Sequence, residues 1–295
     1  MTWSSFSPHP LRNLFIGLLA GVILGGILAV VRERTDRRLR SVGDMETAYG
    51  LPVLGTVPRI DEAAFGRRAL GFSDFTTTTP LAESYRAIRT NLDIVNGGAP
   101  PRVIVVTSAV QAEGKSAVSA NLAAAIAQTG RNVLAVSGDL RAPTLHEYFQ
   151  TRPSDGLVGV LAGDVSFDRA TQRIEIGANG ASGHGGRLSL LASSRRVIDP
   201  AFLFQSPAMS RVIDQAEGHF DVVVIDTVPL LSAPEATVLA KRADAVILVA
   251  AIDVVTRTHT KRTLQMLQVA GAKPAGIVVT GGGSQDVPSY AYTNQ

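Results

Sequence analysis

The chain has 295 residues, of which 28 are Lys or Arg and 25 are Asp or Glu, so its formal net charge at pH 7 is only +3. A charge this small does not indicate nucleic-acid binding, and no nucleic-acid partner is predicted. The sequence contains no cysteine, which excludes disulfide bonds and thiolate metal sites. The length suffices for one α/β domain of ordinary size with additional segments.

An apolar segment followed by a cluster of arginines lies near the N-terminus. Residues 14–31 carry no charged side chain, and roughly 18 apolar residues is near the shortest run that crosses a bilayer. Arg12 is the only basic residue before this segment, whereas five arginines lie between Arg32 and Arg40. The positive-inside rule therefore predicts a transmembrane helix over 14–31, with residues 1–13 outside the cytoplasm. A cleaved signal peptide is the alternative, but its basic residues would precede the apolar run.

A polar region separates this segment from the main domain. Residues 32–79 are predicted to form a juxtamembrane segment and a linker, in which Ser41 caps a short helix that runs to Tyr49. An amphipathic helix is predicted to begin near Leu81, because apolar side chains recur there at helical spacing. Its apolar face comprises Leu81, Tyr85, Ile88 and Leu92.

Short apolar runs rich in branched residues alternate with helical segments through residues 80–283. Such runs are typical of strands buried on both faces of a parallel sheet. The sequence therefore predicts an α/β fold with a doubly wound, mainly parallel sheet, which binds its ligand at the carboxyl ends of the strands. Residues 284–295 are predicted to be a loose tail. The predicted strands are Val103–Val106, Val133–Val136, Leu188–Leu191, Val222–Ile225, Ala245–Ala250 and Gly276–Val279.

The first of these strands leads into a loop that has the features of a P-loop. The loop ends in Gly114-Lys115-Ser116, and a helical segment follows it. In this context, Lys115 would reach the β- and γ-phosphates of a nucleoside triphosphate, and the Ser116 hydroxyl would bind Mg²⁺. A chance Gly-Lys-Ser sequence in a strand-to-helix turn is the alternative. The predicted nucleotide-binding residues are Gln111, Ala112, Glu113, Gly114, Lys115, Ser116 and Ala117.

Two aspartates follow neighbouring predicted strands. Asp226 ends the apolar run that begins at Val222, and Asp139 follows the run that begins at Val133. Because the carboxyl ends of parallel strands share one edge of the sheet, Ser116, Asp139 and Asp226 are expected to meet there and to bind Mg²⁺. The alternative for each aspartate is a structural role in a turn. The predicted catalytic residues are Lys115, Asp139 and Asp226.

The combined motifs resemble those of the bacterial tyrosine kinases that act as polysaccharide co-polymerase autokinases. The resemblance covers essentially the whole chain and corresponds to the cytoplasmic half of that family with its second transmembrane helix. It implies ATP and Mg²⁺ as cofactors and a role in exopolysaccharide or capsule chain length and export. The motifs that carry it are Leu51-Pro52-Val53-Leu54-Gly55, Glu83-Ser84-Tyr85-Arg86, Arg89, Glu113-Gly114-Lys115-Ser116, Asp139-Leu140-Arg141 and Ile225-Asp226-Thr227.

The resemblance also implies how subunits associate and which tyrosines accept phosphate. In the family, the helix that corresponds to Glu83, Arg86 and Arg89 packs between neighbouring subunits of a ring. From the residues alone, a solvated ladder of salt bridges is the alternative. Tyr290 and Tyr292 would be the phosphate acceptors, with an incidental tail as the alternative.

Two departures from the family pattern concern the chemistry. Gln111 and Ala112 stand where the family has proline and glycine, so Ala112 would crowd the phosphates or require a different backbone angle. Ser137 replaces the first aspartate of the family's D-x-D motif. Because a serine is no general base near neutral pH without help, this change concerns phosphoryl transfer more than binding.

Three functions follow from these residues. The first is a protein-tyrosine autokinase in the bacterial inner membrane, whose partners are exopolysaccharide assembly and export proteins and a separate extracytoplasmic chain-length domain. The second is a catalytically impaired, nucleotide-sensing scaffold, which Ser137 and Ala112 favour. The third is a partitioning-type ATPase, but Val110 stands where those proteins carry a signature lysine.

Overall fold

The computed structural model describes residues 10–35, 38–59, 66, 68–70, 74, 79–152, 154–174, 186–193 and 195–282. Tyr290, Tyr292 and most of the linker predicted over 61–79 lie outside these residues. The chain divides into two compact units, Met1–Arg38 and Leu39–Gln295.

The first unit contains one helix, α1 (Pro10–Thr35), which covers the segment predicted to cross a membrane. Large apolar side chains between Leu11 and Leu24 are exposed along it. Among the described residues, however, no helix combines the length and the apolarity needed to cross a bilayer. The transmembrane segment predicted over 14–31 is therefore not confirmed.

The second unit is built from eight strands and ten helices within the described residues. The strands are β1 (Val53–Pro58), β2 (Val103–Ser108), β3 (Asn132–Ser137), β4 (Gln172–Ile174), β5 (Arg187–Leu191), β6 (Val222–Asp226), β7 (Ala245–Ala251) and β8 (Pro274–Gly282). The longer helices are α2 (Val42–Tyr49), α3 (Pro80–Val95), α4 (Lys115–Ala127), α9 (Pro207–His219) and α11 (Arg257–Ala270). The shorter ones are α5 (Leu145–Tyr148), α6 (Gly156–Ala162), α7 (Phe167–Ala170), α8 (Ala201–Gln205) and α10 (Glu235–Ala240).

The eight strands form one sheet in the order β1-β8-β7-β2-β6-β3-β5-β4. All neighbouring strands are parallel except β4 and β5, which are antiparallel. This confirms the predicted doubly wound, mainly parallel sheet. The sequence did not predict β4, which has only three residues and carries no branched apolar run that would mark it as a strand.

Alternating side chains of the central strands supply two hydrophobic cores, one on each face of the sheet. In β2, Val103 and Val105 belong to one core, whereas Ile104 and Val106 belong to the other. Helices α3 and α4 cover the second face, and α2, α9, α10 and α11 cover the first. Because both faces are buried, the polar groups at the carboxyl ends of the strands are confined to one edge of the sheet.

The local signals for two helices are confirmed. Ser41 caps α2, since its side chain accepts a hydrogen bond from the Asp44 amide at 3.1 Å. In α3, Tyr85, Ile88 and Leu92 are buried, and Leu81 packs against the same core. The predicted strands are also present, most of them extended by one or two residues at their ends.

Candidate functional site

The loop between β2 and α4 has the backbone geometry of a phosphate-binding loop. Gly114 precedes the first turn of α4 with φ 86°, in the left-handed region that glycine adopts without cost. The first amides of a helix have no partner within the helix, so the start of α4 offers donors to an anion. Gln111, Ala112 and Gly114 are exposed, whereas Ser116 and Ala117 are half-buried.

Ala112 also lies in the left-handed region, with φ 63°. For a residue with a Cβ atom, this conformation costs about 1–2 kcal/mol relative to the right-handed region. The alanine that the sequence marks as a departure from the family pattern therefore has a backbone angle that favours glycine. The loop keeps a left-handed angle that suits glycine, and the alanine is strained within it.

Glu113 anchors the loop to the neighbouring strand. Its Oε2 atom accepts a hydrogen bond from the Val110 amide at 2.7 Å, and Oε1 accepts one from the Ala251 amide at 3.3 Å. The Thr280 hydroxyl donates to the Glu113 carbonyl at 2.9 Å. The side chain is buried, and burial raises its pKa to about 7, although the two amides oppose this shift. Glu113 thus fixes the shape of the loop from inside.

Asp226 is the centre of the hydrogen bonds behind the loop. The Ser116 hydroxyl donates to its Oδ2 atom at 2.6 Å, and the Ser119 hydroxyl lies 3.1 Å from Oδ1. Asp226 is fully buried, which raises its pKa to about 6, while the Lys115 cation opposes the shift. Lys115 is itself 8% exposed. The structure therefore brings Lys115, Ser116 and Asp226 together, as the sequence predicts.

Asp139 lies at the end of the adjacent strand β3, in a turn that its own carboxylate stabilises. Its Oδ1 atom accepts hydrogen bonds from the amides of Arg141, at 3.2 Å, and Ala142, at 2.9 Å. Burial raises its pKa, and the Lys115 cation acts in the opposite direction. Lys115 is thus close enough to influence Asp139, Asp226 and Glu113.

The predicted magnesium ligands form an oxygen set with two carboxylates and one hydroxyl. Among the described residues, no group of three or more His, Cys, Asp or Glu side chains could hold a metal ion. Mg²⁺ is usually held by one or two carboxylates together with substrate phosphates and water. Asp226, whose Oδ2 atom lies 2.6 Å from the Ser116 hydroxyl, fits that pattern. Asp139, which follows the neighbouring strand β3, supplies the second carboxylate.

Ser137 is paired with Asp226 in the register of β3 and β6, but its side chain has a different environment. Its hydroxyl is fully buried and has no hydrogen-bond partner. A buried hydroxyl without a partner costs about 1–3 kcal/mol. The position that the sequence marks as a departure from the family pattern is therefore also an unsatisfied polar group at the site.

Three polar contributors to the site were not predicted, because each depends on a contact between distant parts of the chain. Ser119 binds Asp226, and the Thr144 hydroxyl donates to the Ser116 hydroxyl at 3.1 Å. Glu235 is fully buried and forms an ion pair with Arg141. Ser119 follows Lys115 by one helical turn, which is the one sequence signal that could have identified it.

A cavity of ≈ 220 Å³ adjoins the phosphate-binding loop on the side of β8. Ala112, Glu113, Gly114 and Ala117 line it from the loop and the start of α4. The opposite walls are mainly apolar and aromatic, and include Tyr85, Tyr148, Ile252 and Val254. A cavity of this character beside a phosphate site suits the nucleoside part of a ligand.

The remaining predicted site residues lie away from this cluster. On α3, Glu83 and Arg86 form an ion pair within the helix, as the alternative of a salt-bridge ladder requires. Arg89 is half-buried, and its guanidinium donates to the Ala125 carbonyl at 3.3 Å. Tyr290 and Tyr292 lie outside the described residues. The predicted subunit contact and phosphate acceptors therefore stay predictions.

Comparison with known proteins identifies the relatives of this chain. No protein-family model matches it. Tyrosine-protein kinase YwqD of Bacillus subtilis is 30% identical over 211 residues, covering 72% of this chain and 85% of YwqD. EpsB of Ralstonia nicotianae is 31% identical over 293 residues, and succinoglycan biosynthesis transport protein ExoP of Rhizobium meliloti is 30% identical over 275 residues. The chain spans 37% of the length of EpsB and 34% of ExoP.

The fold agrees with these relationships. The kinase domain of Escherichia coli tyrosine kinase ETK superposes with a TM-score of 0.68 at 25% identity. The match covers 84% of this chain and 97% of that domain. With the extensive match to YwqD, the shared fold leads to one conclusion: the chain belongs to the family of bacterial tyrosine kinases.

Proposed function

We propose that the chain is an ATP- and Mg²⁺-dependent protein-tyrosine autokinase. The observation that carries this proposal is the contact of Ser116 with the buried Asp226 beside Lys115. A cation, a hydroxyl and a carboxylate at the start of a helix suit a metal-bound phosphate chain and its transfer. The similarity to YwqD supports tyrosine as the acceptor.

In this function, residues Gln111 to Ala117 hold the phosphates, and the adjoining cavity holds the nucleoside. Ser116, Asp139 and Asp226 would hold Mg²⁺, which supplies neutralisation of phosphate charge when bound. Lys115 stabilises negative charge on the transferred phosphoryl group. The burial of Lys115 and Asp226 and the position of Asp139 just after the neighbouring strand β3 support these roles.

The transfer itself exchanges one phosphorus–oxygen bond for another. The phenolic oxygen of a tyrosine bonds to the γ-phosphorus, the bond from that phosphorus to the bridging oxygen breaks, and ADP leaves. The phenolic proton is released to solvent. Tyr290 and Tyr292 of a neighbouring subunit are the proposed acceptors.

The test is incubation of the purified chain with Mg²⁺ and ATP labelled in its γ-phosphate. We expect label on tyrosine, its loss in Lys115→Ala, and its loss when Tyr290 and Tyr292 are both replaced by Phe. The variant Tyr49→Phe, in which a buried tyrosine outside the cavity loses its hydroxyl, serves as the control for nonspecific labelling. Absence of labelled tyrosine in the oligomeric wild-type chain would contradict the proposal.

The unsatisfied hydroxyl of Ser137 favours a second candidate, a nucleotide-sensing scaffold that binds ATP without efficient transfer. A serine beside Asp226 supplies no carboxylate beyond those of Asp139 and Asp226 for the metal or for the attacking group. In this case, Ser137→Asp should produce phosphotyrosine where the wild-type chain produces little. Equal labelling of both proteins would exclude the scaffold.

The cellular role and the location are part of the same proposal. The similarity to ExoP, a succinoglycan biosynthesis transport protein, supports a function with the membrane proteins of exopolysaccharide assembly and export. A separate extracytoplasmic chain-length domain is a further proposed partner. The exposed apolar side chains from Leu11 to Leu24 support anchorage in the bacterial inner membrane. Fractionation of cells that express the full chain tests this location, and recovery in the soluble fraction would oppose it.

Self-association through α3 is the remaining element of the proposal. Glu83 is partly exposed, so the Glu83–Arg86 pair is accessible to another subunit. Reversing both charges, with Glu83→Arg and Arg86→Glu, keeps a pair within the helix but presents the opposite pattern to a partner. Sedimentation velocity should show fewer oligomers for this variant if α3 forms the contact, and an unchanged distribution would exclude it.

A further inference from the structure

An ion pair between the buried Glu235 and the exposed Arg141 joins the start of α10 to the turn that follows β3. Glu235 is fully buried, and its Oε1 and Oε2 atoms lie 2.5 Å from Nε and 3.4 Å from Nη2 of Arg141. When a planar guanidinium contacts both oxygens of a carboxylate, the relative orientation of the two groups is fixed as well as the distance between them. A buried carboxylate without such a partner is costly, so Glu235 restrains the Arg141 side chain.

Arg141 has two further contacts that lead toward the site. Its amide donates to Oδ1 of Asp139 at 3.2 Å, within the turn that orients that carboxylate. Its Nη1 atom donates to the Ile198 carbonyl at 3.3 Å, in the loop that follows β5. The Val197 amide also donates to the Leu140 carbonyl at 2.8 Å. The turn is therefore held on one side by α10 and on the other by this loop.

We propose that Glu235 is a positioning residue that acts through Arg141 to hold the Asp139 carboxylate in the geometry needed for phosphoryl transfer. This inference rests on the proposed function, because it assigns Asp139 a part in that reaction. Neither Glu235 nor Arg141 lines the cavity beside the phosphate-binding loop. Their effect is therefore on transfer and on the metal, and not on the nucleoside.

The first experiment measures steady-state phosphotyrosine formation by Glu235→Gln, Glu235→Asp and the wild-type chain. Loss of a charged hydrogen bond should lower kcat about tenfold in Glu235→Gln and raise the Mg²⁺ concentration needed for half-maximal rate. The KM for ATP and the affinity for a fluorescent ADP analogue should stay within about twofold. Glu235→Asp keeps the charge and should recover part of kcat.

The matched control is Asp44→Asn, which removes the carboxylate of an ion pair with Arg257, since neither residue lines the cavity. We expect this variant to keep the wild-type kcat and Mg²⁺ dependence. A fall in kcat equal to that of Glu235→Gln would show a general effect of lost ion pairs and overturn the proposal.

A second variant separates positioning from stability. Replacing the pair with apolar side chains, as Arg141→Met with Glu235→Leu, removes the contacts without leaving a buried charge. The double variant should unfold at a temperature close to that of the wild-type chain but show the low kcat of Glu235→Gln. Retention of the wild-type kcat would overturn the proposal.

Hydrogen exchange supplies a readout that needs no catalytic activity. In Glu235→Gln, the amides of Ala142 and Val197 should exchange faster, because the turn and the loop lose their common restraint. Unchanged exchange at both amides would contradict the positioning role. Absence of phosphotyrosine from the wild-type chain would instead contradict the proposed function, so the two failures are distinguishable.

Discussion

Asp226 and Ser137 occupy paired positions at the ends of neighbouring strands, and both side chains are fully buried. Asp226 receives hydrogen bonds from two serine hydroxyls and lies under the influence of Lys115. The Ser137 hydroxyl has no partner. The carboxylate at the end of β6 is therefore satisfied by hydrogen bonds, whereas the hydroxyl at the end of β3 is not.

Under the proposed function, the two tasks of the site, phosphate binding and phosphoryl transfer, depend on different strands. Holding a phosphate chain would use the loop after β2 and the carboxylate of β6, where both Glu113 and Asp226 accept hydrogen bonds. Transfer would use groups at the end of β3, where Asp139 follows the strand but Ser137 stands in place of the family's aspartate. Binding and transfer can therefore be changed separately, and the following substitutions test that separation.

The largest expected effect belongs to Lys115→Ala. Removing the cation leaves the phosphates without their charged partner and should lower the rate of phosphotyrosine formation by about 10²–10³-fold. Lys241→Ala is the control, because Lys241 is exposed and does not line the cavity. Rates measured with labelled ATP check this, and equal losses in both variants would contradict the role of Lys115.

The next largest effect concerns the contribution of Glu113 to the pH dependence of folding stability. Its pKa rises from 4.5 to about 7 on folding, so its contribution to stability is present below pH 4.5 and is lost as pH rises through about 7. The shift corresponds to about 3 kcal/mol. Urea unfolding should show that the free energy of unfolding falls less between pH 5 and pH 8 for Glu113→Gln than for the wild-type chain. Glu46 is exposed, so Glu46→Gln is the control and should lose as much stability between pH 5 and pH 8 as the wild-type chain.

Two buried serines provide a matched comparison, in which the expected changes in the free energy of unfolding are smaller. Ser119→Ala removes a hydroxyl that binds Asp226 and should lower the free energy of unfolding by about 1–3 kcal/mol. Ser137→Ala removes a hydroxyl without a partner and should raise it by about 1 kcal/mol. Chemical denaturation measures both changes, and destabilisation of similar size in the two variants would show that Ser137 is satisfied in solution.

The smallest effect is expected for Ala112→Gly. Glycine relieves the left-handed strain but has more conformational freedom in the unfolded chain, which leaves a net gain of about 0.5 kcal/mol. Thermal unfolding checks this gain, with Ala99→Gly in a loop as the control. A clear loss of stability in Ala112→Gly would indicate that the loop adopts another conformation.

The sequence predicted the parts of the site that depend on local order along the chain. Gly114, Lys115 and Ser116 were recognisable because a strand, a short loop and a helix must follow one another there. Asp226 was recognisable because a carboxylate ends an apolar strand. The sheet followed from the branched runs, although the three-residue β4 gave no such signal.

The remaining parts depend on contacts between residues far apart in the chain. Glu235 meets Arg141 across 94 positions, and Thr144 meets Ser116 across 28. Neither pair has a spacing that a sequence pattern reveals, because the strand order of the sheet sets the contact. The missing partner of Ser137 likewise became visible only from the packing around it.

The most direct test of the central claim, that Lys115, Ser116 and Asp226 bind ATP together with Mg²⁺, is calorimetric titration of ATP into the purified chain with and without Mg²⁺. We expect saturable binding that is tighter with Mg²⁺ and that is lost in Lys115→Ala, whatever the rate of transfer. Absence of binding, or an affinity that Mg²⁺ does not change, would contradict this site.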